Sequence, residues 1–199
     1  MTEVEKNHQE ELTEIGEACY VIDGRASRFT VQVFASGLLA AMGHNPIIGI
    51  RDFSGQVTFD PDHLKGSAFK LVARSSSLTV QDDISDKDRR EIERLMNQEV
   101  LQPSRFSEIT YEATDISIGN MGGALFSASL NGTLTLRGVT RSLPILARVV
   151  LLGSLLRASG EFSLRQSDFE IKPISVAGGA LKLKDDLKCS FEIVARKQE

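Results

Sequence analysis

The chain has 199 residues, 41% of them hydrophobic and 25% charged, with a formal net charge of −4. That length suits one well-buried core rather than two ordinary domains. The acidic balance supplies no basic field for nucleic acid or an anionic membrane surface, and no run approaches the ~20 apolar residues of an integral membrane segment.

Residues 1–17, "MTEVEKNHQEELTEIGE", read as a polar, glutamate-rich leader, frayed or partly helical. They show no apolar stretch or small-residue cleavage site of a secretory signal, so a cytoplasmic address is expected, with one domain over residues 18–199. From there almost everything has strand character. "CYVIDGR" is a short strand ending in a turn at Asp23-Gly24, and "SRFTVQVFA" alternates Phe29, Val31 and Val33 with polar residues. Ser36 to Met42 reads as one or two helical turns stopped by Gly43, a short lid. A strand from Ile47 to Phe59 follows, with Phe53, Gly55, Val57 and Phe59 on one face, then a turn at Asp60-Pro61-Asp62. "SAFKLVARS" places Phe69, Leu71 and Ala73 together.

One amphipathic helix is expected over Asp86–Glu99. Ser85 is its N-cap, acids fill its first turn, and Ile92, Leu95, Met96 and Val100 form its apolar face. Beyond Glu108 the pattern is a meander. "EITYEATDISI" and "ALFSASLNGTLTLRG" flank a turn at Gly119–Gly123, and "VTRSLPILARVVLLG", "LLRASGEFSLRQSDFEI" and "DLKCSFEIVARK" complete it. In the third of these, Leu143, Ile145, Ala147, Val149 and Leu151 face one way. Long strands with short turns and no βαβ rhythm indicate an antiparallel sheet, which removes its edges by closing into a barrel.

Candidate chemistry is sparse. His44 stands between Gly43 and Pro46, whereas His8 and His63 sit in polar leader and turn contexts. Three roles stay open for His44: a hydrogen-bonded corner, a contact to a ligand's polar head, or an acid–base group with Asp52 or Asp23. Asp82-Asp83 reads as a turn with helix N-terminal charge rather than a metal site. Arg137 and Arg141 flank a hairpin in which Gly138 supplies a positive φ. "VAGGALKLKDDLK" reads as a surface loop before the last strand. Cys19 and Cys189 fit no zinc spacing and read as free core thiols, although first and last strands of a closed sheet are neighbours. Neither metal nor cofactor is called for.

Four segments carry a family resemblance. "GTLTLRGVTRSLPI" resembles G-x-L-T-[IL]-x-G-V-T-[KR]-x-[VL] of the YceI-like, lipocalin-like proteins, and "YVIDGRASRFTVQV", "IRDFSGQVTFD" and "RQSDFEI" resemble that family's other motifs, in order. The resemblance covers about Tyr20 to Lys197. It implies an all-β fold with one helix, an eight-stranded antiparallel barrel around an apolar tunnel, a lipid-like small molecule as partner, and a homodimer. Transferred here, it implies a tunnel lined by Phe34, Leu38, Met42, Phe53, Phe59, Phe69, Tyr111 and Phe126, with His44 near a polar head and no catalytic residue. The rival functions are an enzyme acting on a hydrophobic small molecule, and a dry barrel serving as a stress-related interaction module. Alternation does not separate these, since a packed core and a tunnel wall present the same pattern. The chain departs from the family where "DKDRREIERLMNQEVL" puts Val100 and Leu101 in place of paired aromatics, and where the connection from His44 to Asp52 is short.

Overall fold

The computed structural model describes residues 18–36, 45–59, 66–176 and 181–198. Its strands are β1 (Ala18–Ile22), β2 (Arg28–Ser36), β3 (Ile47–Ile50), β4 (Phe53–Phe59), β5 (Ala68–Arg74), β6 (Leu78–Val80), β7 (Glu108–Gly122), β8 (Leu125–Leu136), β9 (Val139–Leu152), β10 (Leu155–Arg165), β11 (Ser175–Val176) and β12 (Leu181–Lys197), with helix α1 at Asp86–Leu95. Every strand pairing is antiparallel. Eight strands form a closed ring in the order β1-β4-β5-β7-β8-β9-β10-β12, and β1 completes it by pairing with β12 through Tyr20↔Lys197 to Ile22↔Ala195. The expected leader at 1–17, the Ser36–Met42 helical turns beyond Ser36, and the Asp60 turn lie outside the described residues.

Strand β8 shows how pattern becomes wall. Phe126, Ala128, Leu130, Leu134 and Leu136 are buried on one face, and the intervening residues face solvent or are half-covered. Strand β9 keeps the expected inward row of Leu143, Ile145, Ala147, Val149 and Leu151. Between β8 and β9 both Arg137 (φ 53°) and Gly138 (φ 74°) are left-handed, the two-residue turn whose twist suits a hairpin. In β7 a bulge between Ala113 and Asp115 shifts the register against β8. It moves the inward row from Ile109 and Tyr111 to Ile116 and Ile118, so no apolar residue is turned outward by the odd-to-even change.

Two differences from expectation concern the kinked side of the barrel. The strand expected over Ile47–Phe59 breaks at Arg51–Asp52, and an additional strand β6 follows a short 3₁₀ turn at Ser75–Ser77; between β1 and β2 the expected turn spans Asp23–Ser27. These breaks lie side by side across neighbouring strands, and serine hydroxyls replace the interrupted ladder bonds. Ser27 Oγ accepts from the Val194 N–H at 2.9 Å, Ser77 Oγ accepts from the Asp52 N–H at 3.0 Å, and Ser75 Oγ donates to the Phe106 carbonyl at 2.5 Å. Past the kinks, β2, β3 and β6 continue as a three-stranded extension from β12. The turn expected at Gly119–Gly123 is tighter than that, since β7 runs through Gly122.

Among the described residues no strand lies on the outer side of β6, and α1 takes that place. Ser85 caps the helix as expected, accepting from the Asp88 N–H at 3.2 Å. Glu93 Oε1 accepts from the Val80 N–H at 3.1 Å, and Arg89 donates to the carbonyls of Val80 (2.5 Å) and Asp82 (2.8 Å). Two helical side chains thereby satisfy a sheet edge. After Leu95 the helix does not run on regularly to Glu99; it widens into a π turn over Met96–Leu101, ended by left-handed Gln102. The extra residue per turn brings Leu101 inward beside Met96, both buried.

Candidate ligand-binding cavity

Inside the ring lies an elongated apolar cavity of about 270 Å³. Its wall is built from the inward rows of the ring strands other than β1, together with Phe29, Val31 and Val33 of β2. At one end Ile92, Met96, Val100 and Leu101 of the helical segment cover it. Val100 and Leu101, which replace the family's paired aromatics, are thus wall residues. At the other end Phe59 and Phe126, from strands that are not neighbours, meet edge to face at 5.4 Å across the lumen. Phe29 stacks on Phe191 at 6.0 Å, and Phe162 approaches the same ring at 6.5 Å.

No charged side chain lines this space among the described residues, and its buried polar groups are few. Tyr111 lies across Gly132, and its hydroxyl donates to the Leu143 carbonyl at 2.9 Å. Burial pushes its ionisation up to about 12. Cys189, 5% exposed, is pushed up to about 12 by the same desolvation and stays an uncharged thiol near neutrality. Gln166 donates its side-chain amide to the Lys184 carbonyl at 2.9 Å. Ser67, 5% exposed, has a hydroxyl with no hydrogen-bond partner among the described residues.

The structure sorts the sequence candidates. Phe59, Phe69, Tyr111 and Phe126 stand on the cavity wall. Phe34 does not: Phe29, Val31 and Val33 take the inward parity of β2, which leaves Phe34 on the other face. Phe53 packs edge-on against Phe29 at 4.9 Å, beside the kink, and also stops short of the cavity. Leu38, Met42 and His44 lie outside the described residues. Asp52 serves the kink, its carbonyl accepting from the Arg74 N–H at 2.9 Å. Asp23 accepts from the Arg25 and Ala26 N–H groups and pairs with Arg196 at 3.2 Å; these bonds hold its carboxyl below the usual range. Asp82 accepts from the Ile47 N–H at 2.7 Å, a structural cap. Sequence reading missed Ile109, Ile116, Leu130, Leu134 and Ile193 as wall residues because it favoured aromatics. Their periodicity was the available signal.

Both cysteines are free. First and last strands do pair, but the Cys19 carbonyl accepts from the Gln198 N–H while Cys189 lies opposite Val31 and Phe162. Nine strand residues between these levels correspond to about 30 Å, far beyond a disulfide.

The YceI-like domain family matches residues 20–195. The chain belongs to the YceI-like family. A UPF0312 protein of Shewanella baltica is 28% identical over 134 residues, 67% of this chain and 63% of the relative; one of Shewanella oneidensis is 26% identical over 137 residues, 68% and 64%. The chain thus spans about 63% of the length of these curated relatives. Among solved structures, Burkholderia cenocepacia BcnA aligns with a TM-score of 0.64 at 17% identity, covering 87% of this chain and 98% of that one. A polyisoprenoid binding domain from Saccharophagus degradans, implicated in plant cell wall breakdown, aligns at 0.65 and 14% identity, covering 92% and 100%. The Campylobacter jejuni YceI protein aligns at 0.56 and 16% identity, covering 76% and 85%. These likenesses show a YceI-like barrel. No helix among the described residues is long and apolar enough to cross a membrane.

Proposed function

We propose that this YceI-like protein binds an apolar, chain-like molecule (isoprenoid, quinone or fatty-acid-like) inside the barrel and carries or sequesters it without making or breaking a bond. The observation behind this reading is the elongated cavity, with no charged side chain on its described wall, formed by aliphatic and aromatic side chains from every ring strand but β1. Such a wall gains affinity from chain length, at about 0.8 kcal/mol per buried CH₂, and needs few polar contacts. The polyisoprenoid-binding neighbour supports the same ligand class. A cytoplasmic homodimer extends the proposal, on the strength of composition and family resemblance.

Native mass spectrometry of protein purified from its own source, followed by solvent extraction, tests it. One lipid-like mass per chain, released chemically unaltered, is the expected result. Finding no bound mass, together with no uptake of a neutral lipid probe, overturns the proposal. Catalytic conversion of that probe overturns the carrier role.

A further inference from the structure

The distribution of polar groups around the cavity is uneven. Among the buried polar side chains of its wall, Tyr111 and Gln166 are committed to the carbonyls of Leu143 and Lys184, and Thr30 and Ser190 bond each other at 2.7 Å. Ser67 is the exception. Thr58 pairs with Ala68, so Ser67 sits beside Phe59, and it shares the inward parity of Phe69, Leu71 and Ala73. Its hydroxyl is buried, borders the cavity and makes no hydrogen bond among the described residues. A desolvated, unpaired hydroxyl is unfavourable in the empty protein, and a ligand oxygen or nitrogen removes that penalty. The absence of charged groups from the described wall sets the other condition. An ionised carboxylate or phosphate at this depth finds no compensating cation among the described residues, whereas an alcohol, ketone or amide needs only one partner.

Resting on the carrier reading, we infer that Ser67 is a buried anchor for an uncharged polar head. The ligand enters head first, with its oxygen beside the Phe59–Phe126 pair and its apolar chain running toward α1.

The experiment uses displacement of a neutral solvatochromic dye by three matched chains: farnesol, the hydrocarbon farnesene, and farnesoic acid, which is ionised at pH 8. Wild type is compared with Ser67→Ala. Ser67→Ala is expected to weaken farnesol by about fivefold or more, the equivalent of one neutral hydrogen bond, and to leave farnesene within twofold. Farnesoic acid is expected to be the weakest of the three. The thermal midpoint of the empty variant should equal or exceed that of wild type, since the hydroxyl serves no partner among the described residues. Equal effects on farnesol and farnesene, a lowered midpoint in the empty variant, or tight binding of the ionised acid overturns the site. If none of the three displaces the dye from wild type, the carrier reading itself fails and the Ser67 anchor fails with it.

Discussion

Replacing Gly132 by alanine probes the packing that holds the cavity wall together. A Cβ built on Gly132 falls 2.5 Å from Cζ and Oη of Tyr111 and 2.6 Å from the Glu112 carbonyl oxygen. No side chain tolerates contacts that short, so the Tyr111 ring has to leave its place across the strand. Its hydroxyl then releases the Leu143 carbonyl, now held at 2.9 Å in a buried setting. The lost buried hydrogen bond costs about 1–3 kcal/mol, and overpacking adds about 1–3 kcal/mol. Gly132→Ala should therefore destabilise by about 2–6 kcal/mol, which for a chain of this size lowers Tm by about 5–20 °C. Urea and thermal unfolding followed by circular dichroism measure this, with the urea slope m unchanged if only the native state is strained. The cause is isolated by repeating the substitution in a Tyr111→Leu background, where the ring is absent and the cost should shrink by more than half; the Glu112 contact keeps it above zero. A Gly132→Ala protein within about 0.5 kcal/mol of wild type, or an equal cost in both backgrounds, refutes the reasoning.

Three further outcomes follow from burial and edge protection. Tyr111 and Cys189 ionise near 12 in the folded protein, against ordinary values of 10.0 and 9.0. Both hold their protons in the native state after the unfolded chain has lost them, so their contribution to stability is constant below about pH 8 and falls as pH rises toward 12, by up to about 1.4 kcal/mol per pH unit for each group. Urea midpoints across that range measure the fall, and Cys189→Ala should flatten it. In native protein at pH 8, a thiol reagent should modify half-exposed Cys19 promptly and Cys189 only on unfolding; equal rates contradict the assigned burial. Glu93→Ala removes the acceptor of the Val80 N–H. Hydrogen exchange at Val80 should accelerate by at least tenfold, with exchange in β8 unchanged, and an unaltered Val80 rate argues against the helix as the cover of that edge.

Much of this architecture could be read from residue order. Strands β8 and β9, their Arg137-Gly138 turn and the Ser85 cap all rest on local chemistry, and local chemistry is what a sequence displays directly. The bulge in β7 was also visible in principle, because Ile109, Tyr111 and Ala113 are odd-numbered whereas Ile116 and Ile118 are even. Phe34 shows where weighting went astray, since its own strand's alternation already set it opposite Phe29, Val31 and Val33. The kinks were hidden for a different reason. Ser27, Ser75 and Ser77 bond residues 167, 31 and 25 positions away, and a serine carries no sign of such a partner. Ser67 had no signal at all, because lacking a partner is a property of surroundings rather than of residue type. The cavity was equally invisible, since a filled barrel and an open one share one pattern of inward apolar side chains.

The placement of α1 gives the molecule a coupling between traffic and colloidal safety. The side chains that cover one end of the cavity, Ile92 and Met96, belong to the same helical segment as Arg89 and Glu93, which occupy the backbone groups of Val80 and Asp82. Any motion that lifts this segment to pass a hydrophobic chain also bares an unsatisfied β-edge, the kind of surface on which another extended chain can nucleate. If the proposed ligand enters through this end, loading and exposure to self-association are one event, and quick reseating of the helix limits that exposure. Filling the cavity shifts the balance, because a bound chain adds apolar contacts to Ile92 and Met96 and keeps the segment closed. The occupied protein should outlast the empty one in concentrated solution.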